Sequence, residues 1–407
     1  MTIFRFSTLL LSIGLILSAC TATTSISPTS SSPSSVPTEA PATQQTEAPT
    51  PVPDTPAPPA IDVPLVEAPS LVDIHFVNEM DGWGVTETQI IRTNDGGVTW
   101  YNVTPPDVTS TGYNAHNFVL DNEHAWLQIT DFAKDINSSE VYRTSDGGLT
   151  WTKFTAPFGS GRIKFLDEKN GWAFGDLGAG AGSNAVAVYQ TTDGGATWTQ
   201  TYTNDPNQPN AGDSLPLGGL KSGLIPLNMQ TAWVSGVIYA DGTIYLYRTD
   251  DGGHTWSEVN PPLPTGAEHE QMSIDSDQMK FISSQDGFLA VRRSTQTGNY
   301  LVQTVVYVTH DAGNTWSLTP TLIPNGGSAD FLSATDAIIY NGEQFYVTHD
   351  AAGTWNTVTS NVTFGENFAM MDFVKASTGW VITSDVNSHR SLYRTTDGGA
   401  TWSLVIQ

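Results

Sequence analysis

Thr395-Thr396-Asp397-Gly398-Gly399-Ala400-Thr401-Trp402 is the last of seven versions of one motif in a chain of 407 residues. The earlier six are Thr93–Trp100, Thr144–Trp151, Thr191–Trp198, Thr249–Trp256, Thr309–Trp316 and Thr348–Trp355. Their acidic members, Asp95, Asp146, Asp193, Asp251, Asp311, Asp350 and Asp397, stand 51, 47, 58, 60, 39 and 47 positions apart. A motif returning at such a period marks an architecture of repeated units, each too small to bury its apolar face alone.

A second signature precedes each copy: an apolar residue, a polar turn, then Gly-Trp or a substitute. It reads Phe76…Gly82-Trp83, Phe165…Gly171-Trp172, Phe281…Gly287-Phe288 and Phe373…Gly379-Trp380. Trp126 and Trp233 follow Ala after a turn one residue longer, and the sixth unit has Ala337-Ile338. Each unit parses into four short runs rich in β-branched and aromatic residues, bounded by turn residues. Four antiparallel strands per unit and seven units predict an all-β fold, a seven-bladed β-propeller of four-stranded blades over residues 70–407. The Asp motif falls between the third and fourth strands, where Asp accepts backbone N–H groups and Gly supplies positive φ.

The motif resembles the Asp-box (BNR) repeat, Ser/Thr-x-Asp-x-Gly-x-Thr-Trp, of sialidases, sortilin-type receptors, xyloglucan hydrolases and photosystem II assembly factors. Coupled to Phe…Gly-Trp, it is most similar to the photosystem II assembly and stability factor family. That resemblance implies a scaffold or assembly role without establishing photosynthesis. The sixth copy departs from the pattern, with Ala352 at a Gly position followed by Gly353, which predicts a distorted or shifted turn.

Residues 1–19 read as a lipoprotein signal peptide, with Arg5 and then the apolar run Phe6–Leu17, too short to span a bilayer. Leu17-Ser18-Ala19-Cys20 resembles a lipobox, which makes Cys20, the only cysteine, a lipidation site. Residues 20–69 are rich in Ser, Thr, Pro and Ala and carry five acidic residues (Glu39, Glu47, Asp54, Asp62, Glu67) but no basic ones, the composition of a disordered stalk. The expected location is the extracytoplasmic side of a bacterial membrane, with the chain held there by its lipid anchor as a monomer.

Sixteen basic against 41 acidic residues give a net charge of −25, which excludes nucleic acid as a partner. All twelve tryptophans fall at repeat positions, seven in the Asp motif and five after Gly or Ala, so none is left over for a sugar-stacking loop. The seven carboxylates lie in different units and cannot pair for glycoside cleavage, which needs a separation of roughly 5–10 Å. Arg92, Arg143, Arg248 and Arg394 are also repeat positions. No catalytic triad, metal spacing or cofactor-cradling loop is present, so no catalytic residue, metal or cofactor is assigned.

Loop lengths separate two faces. The connections bearing the Asp motif and the first turn are nearly constant. The other two vary, from 12 to 23 residues between the second-strand Trp position and the Asp, and from 21 to 35 between the motif Trp and the next second-strand position. Function belongs on the variable face, on loops held by a rigid scaffold. Candidate binding residues there are Tyr113, His116, Arg162, Glu270, Arg292, Arg293 and Arg390, with Arg292-Arg293 the most distinctive as adjacent cations in an acidic chain. The function read from the sequence is a non-catalytic scaffold for a protein or glycan partner at the cell surface. The alternative is a carbohydrate-active enzyme or lectin.

Overall fold

The computed structural model describes residues 63–407 apart from 113, 276 and 296–300. The signal peptide, Cys20, Tyr113 and all but the end of the stalk therefore lie outside the described residues. The described residues form an all-β propeller of antiparallel sheets, with one short 3-10 turn at Gly365–Asn367.

Five sheets are separate blades. The first is Asp73–Phe76, Gly82–Val85, Ile90–Thr93 and Trp100–Asn102, and the second Ala115–Val119, Ala125–Ile129, Ser139–Thr144 and Thr152–Ala156. The third is Gly161–Phe165, Gly171–Gly180, Ser183–Thr191 and Thr199–Thr203. Two more close the chain: Ser328–Phe331, Ala337–Tyr340, Phe345–Thr348 and Asn356–Val358, then Phe368–Lys375, Thr378–Ser384, Arg390–Thr395 and Ser403–Ile406.

The expectation of seven separate blades is corrected here. Where the fourth and fifth were expected, Leu220–Pro226 through Ser317–Pro324 form a single nine-stranded sheet. The cause is an extra strand, Glu270–Ser273, in the long connection after Trp256. It pairs along Gly287–Thr295 and joins Ala232–Val237 through the Val237–Ser273 pair. Leu65–Val66 pairs with Trp100–Asn102 at the outer edge of the first blade, and the last blade supplies all four of its own strands.

Each Asp motif is a closed hydrogen-bond circuit. In the first copy, Thr93 Oγ1 donates to Asp95 Oδ1 at 2.9 Å and accepts the Gly97 N–H at 2.9 Å. Asp95 also accepts the Val98 and Thr99 N–H groups and the Thr99 hydroxyl, and Trp100 Nε1 donates to Gly97 O at 2.8 Å. Burial alone pushes the Asp95 carboxyl up, but the Thr99 and Thr93 hydrogen bonds outweigh it and hold the group below the usual carboxylate range.

The sixth turn is neither distorted nor shifted. Ala352 N–H reaches Thr348 Oγ1 at 3.1 Å, as the glycines do elsewhere, because Ala351 and Ala352 take φ of +57° and +65°. Ala312 in the fifth copy sits at +58°. Left-handed backbone costs a residue with a Cβ roughly 1–2 kcal/mol, and glycine gives back about 0.4–1 kcal/mol through unfolded-chain entropy. Ala312→Gly is therefore expected to stabilise the protein by about 0.5 kcal/mol, read as a higher urea midpoint; a lower midpoint would show that the turn is not strained.

The Phe…Gly-Trp signature stitches one repeat to the next. The inner-strand Phe76 ring lies across Gly82, where a Cβ would meet it at 2.6 Å. The second-strand aromatic then stacks on the next repeat's inner-strand aromatic: Trp126 on Phe165 at 3.8 Å, Trp233 on Phe281 at 4.5 Å, Phe288 on Phe331 at 4.9 Å. The arginine before the box reaches forward as well. Arg92 donates to Gly147 O, Arg143 to Asp193 O and Arg248 to Ala312 O. The last blade treats the first as its successor, with Trp380 stacked on Phe76 at 3.5 Å and donating to Gly96 O at 2.9 Å. These contacts close the ring.

Candidate functional site

The two faces are fixed by the turns. Gly96 N–H donates to Met80 O, and Gly147, Gly194, Gly252 and Gly398 make the same bond to their own first turns. First turns and Asp boxes therefore share one face, and each inner strand starts at the other, variable face.

Along the inner strands, alternate residues are buried between sheets. Ile74 and Phe76, Ile163 and Phe165, Ala329 and Phe331, Met371 and Phe373 are all buried. The residues between them, Asp73 and His75, Arg162 and Lys164, Asp330 and Asp372, keep access to solvent, as the period-2 geometry of a strand requires.

At the variable-face mouth the first four of these residues border a cavity of about 450 Å³, whose polar wall is Asp73, His75, His116, Asn117, Arg162, Lys164 and Asp277. Asp277 lies between two cations, 4.0 Å from Arg162 and 3.8 Å from Lys164. Burial pushes the Asp73 carboxyl up, partly offset by a hydrogen bond with Asn117. Burial, reinforced by Lys280, pushes the His75 imidazole down; burial, reinforced by Arg162, does the same to His116. Both imidazoles are thus neutral at neutral pH and able to donate or accept. A second depression, about 710 Å³, runs outward between the first and second blades over Val72, Val85 and Ala115, and shares Asp73, His116 and Asn117 with the first.

On the last two blades, Asp330 and Asp372 occupy the register of His75 and Lys164, one residue before the buried phenylalanine. Asp330 accepts the Phe373 N–H at 3.0 Å and Asp372 accepts the Phe76 N–H at 2.5 Å. Each carboxylate caps the backbone of the following inner strand. Burial raises both carboxyls, and Asp372 raises Asp330 further.

The sequence candidates divide. His116 and Arg162 line the mouth cavity. Glu270 and Arg293 face each other: they form a bidentate ion pair, 2.5 and 2.7 Å, each side chain 11% exposed. That pair clamps the extra strand Glu270–Ser273 onto Gly287–Thr295. Arg292 and Arg293 belong to the strand Gly287–Thr295, so they point to opposite faces, and Arg292 lies 3.5 Å from Asp275. Arg390 lines a separate depression on the last blade with Asp385, His389 and Tyr393. Sequence reasoning missed Asp73, His75, Lys164 and Asp277. Three of these are available as the polar residues alternating with buried ones just before each signature phenylalanine. Among the described residues no group of three His, Cys, Asp or Glu side chains is placed to hold a metal.

The BNR/Asp-box repeat family matches residues 393–404. A xyloglucanase from Paenibacillus sp. is 28% identical over 196 residues, which cover 41% of this chain and 18% of that protein. The chain thus spans less than a fifth of that relative's length. Among solved structures, YCF48 bound to a D1 peptide aligns over 83% of this chain and 95% of its own, at 18% identity and a TM-score of 0.50. The GH74 xyloglucanase from Xanthomonas campestris aligns over 85% of this chain and 55% of its own, at 13% identity and a TM-score of 0.49. At these identities the similarity to YCF48 shows a shared β-propeller fold and no more.

Proposed function

We propose that this chain is a non-catalytic, lipid-anchored propeller that presents its variable face to a polypeptide partner outside the cytoplasm, in an assembly-factor-like role. The observation that carries the reading is the pair of adjoining depressions at the channel mouth. Together they run from the axis toward the rim and set cations, neutral imidazoles and carboxylates around an apolar floor. Such a trench suits an extended chain, whose amides and side chains need donors and acceptors in alternation. The peptide bound to YCF48 supports a polypeptide as the ligand class. The anchor rests on Cys20 and the lipobox-like residues before it; Cys20→Ser is expected to move the protein from the membrane pellet to the soluble fraction.

A photoreactive amino acid at His116 or Arg162 should crosslink the full chain to a discrete protein in native membranes. The same probe at Val98 or Leu149, exposed on the Asp-box face, should not. Equal labelling from both faces would overturn the reading. The carbohydrate alternative draws on the xyloglucanase similarity and on Asp73 and Asp277 sharing one cavity. It requires that the chain release reducing ends from xyloglucan and that Asp73→Asn abolish the release.

A further inference from the structure

Away from the channel, the variable face carries a second feature of different chemistry. The loop between Ala125–Ile129 and Ser139–Thr144 exposes Phe132 at 42% and Ile136 at 62%, and the hairpin of the third blade exposes Leu177 at 39%. These side chains border a groove of about 570 Å³ whose floor includes Phe158 and Tyr189. The groove is held in shape. Ile136 O lies over Gly159, where any Cβ would collide with it. Gly159 O accepts from Gln128 Nε2 at 2.7 Å and Thr130 Oγ1 at 2.8 Å, and Asp135 accepts the Asn137 N–H and Ser138 hydroxyl inside the loop. Large apolar side chains left exposed on an ordered loop mark a contact surface.

The rim gives the occupant its charge. Asp176 and Asp205 line the groove, Asp131 and Asp135 flank Phe132 and Ile136 in the loop, and Lys134 is the one basic residue on that loop. The chain's own stalk cannot fill such a site well, because it brings five acidic residues and no basic ones. A second copy brings another net charge of −25. Like charges set side by side are repelled at ordinary ionic strength.

We infer that this groove docks a polypeptide segment in which large apolar side chains alternate with lysine or arginine. The apolar side chains cover Phe132, Ile136 and Leu177 while the cations meet the aspartates of the rim. This surface stands independently of the channel mouth.

The test is fluorescence anisotropy of the full chain with three labelled ten-residue peptides, alternating Leu/Lys, Ser/Lys and Leu/Glu. The Leu/Lys peptide should bind at least about tenfold more tightly than either of the others. Phe132→Ser with Ile136→Ser, both at the surface, should lower its affinity about tenfold with an unchanged melting temperature, whereas Val98→Ser on the opposite face should bind as the parent does. Asp176→Asn with Asp205→Asn should flatten the dependence on salt. Equal binding of Leu/Lys and Ser/Lys, or unaltered binding by the Phe132/Ile136 variant, would overturn the inference. Neither result bears on crosslinking from His116 or Arg162, so the two readings fail separately.

Discussion

Trp380→Ala lowers the free energy of unfolding by about 3–5 kcal/mol, the range for losing a large buried aromatic, and it does so by opening the ring at one seam. Trp380 is fully buried, stacks on Phe76 with 1° between planes, and donates its indole N–H to Gly96 O. Arg394 covers the other side, 5.4 Å from the ring, and donates to Glu79 O. Alanine removes the stacking, leaves a cavity and strips Gly96 O of its donor. Urea unfolding measures the total. Native-state hydrogen exchange places it, with faster exchange expected first in Asp73–Phe76 and Phe368–Lys375. Trp355 is the control: it is only partly buried and its indole nitrogen has no partner. Trp355→Ala should cost roughly 2 kcal/mol less. Equal losses at the two positions would show that the seam has no special part in holding the ring.

How much of this was legible in the sequence follows from the range of the interactions. The Asp turn is local: Thr93, Asp95, Gly97 and Thr99 satisfy one another within seven residues, so its chemistry is visible in the motif. The stitch between repeats is legible for the same reason, since Phe and Gly-Trp recur in a fixed register. The merger of the fourth and fifth units is not. It depends on whether a 20-odd-residue connection finds a strand to pair with, and one backbone pair, Val237 with Ser273, joins the two halves. The adjacent cations Arg292 and Arg293 were misread because adjacency in a strand sends side chains to opposite faces. One met Glu270 and the other Asp275. The loop-length argument put His116 and Arg162 on connections of the variable face; both stand instead on inner strands that border the mouth cavity. Asp73, His75 and Lys164 escaped because a polar residue alternating with buried ones reads as solvent-facing, and only the packing of the inner strands beside one another brings such residues together in one cavity.

The same packing makes stability depend on pH in a direction unusual for an acidic protein. Asp330 and Asp372 titrate as a pair whose carboxyls are raised from 3.8 to about 8 and about 7, by burial first and, for Asp330, by its neighbour next. Between the unfolded and folded values the native state holds protons that the unfolded chain has released. Stability therefore falls as pH rises through neutrality and is regained on mild acidification. Other groups limit the window. His75 and His116 are lowered from 6.5 and work against stability below that pH. Lys221, buried among carbonyl oxygens and lowered to about 8, acts mainly above it. The Asp-box carboxylates, held low, lose their contribution only as pH falls below the usual carboxylate range. From pH 8 to pH 6.5 the pair dominates. Stability should rise by about 2 kcal/mol at 1.36 kcal/mol per pH unit and proton. Asp330→Asn with Asp372→Asn keeps an oxygen to accept the Phe373 and Phe76 N–H groups but removes the titration. In urea unfolding at the two pH values, the parent should gain stability and the double variant should stay level. A parent that loses stability on acidification, or a variant that keeps the parent's slope, would show that these carboxylates do not set the pH response.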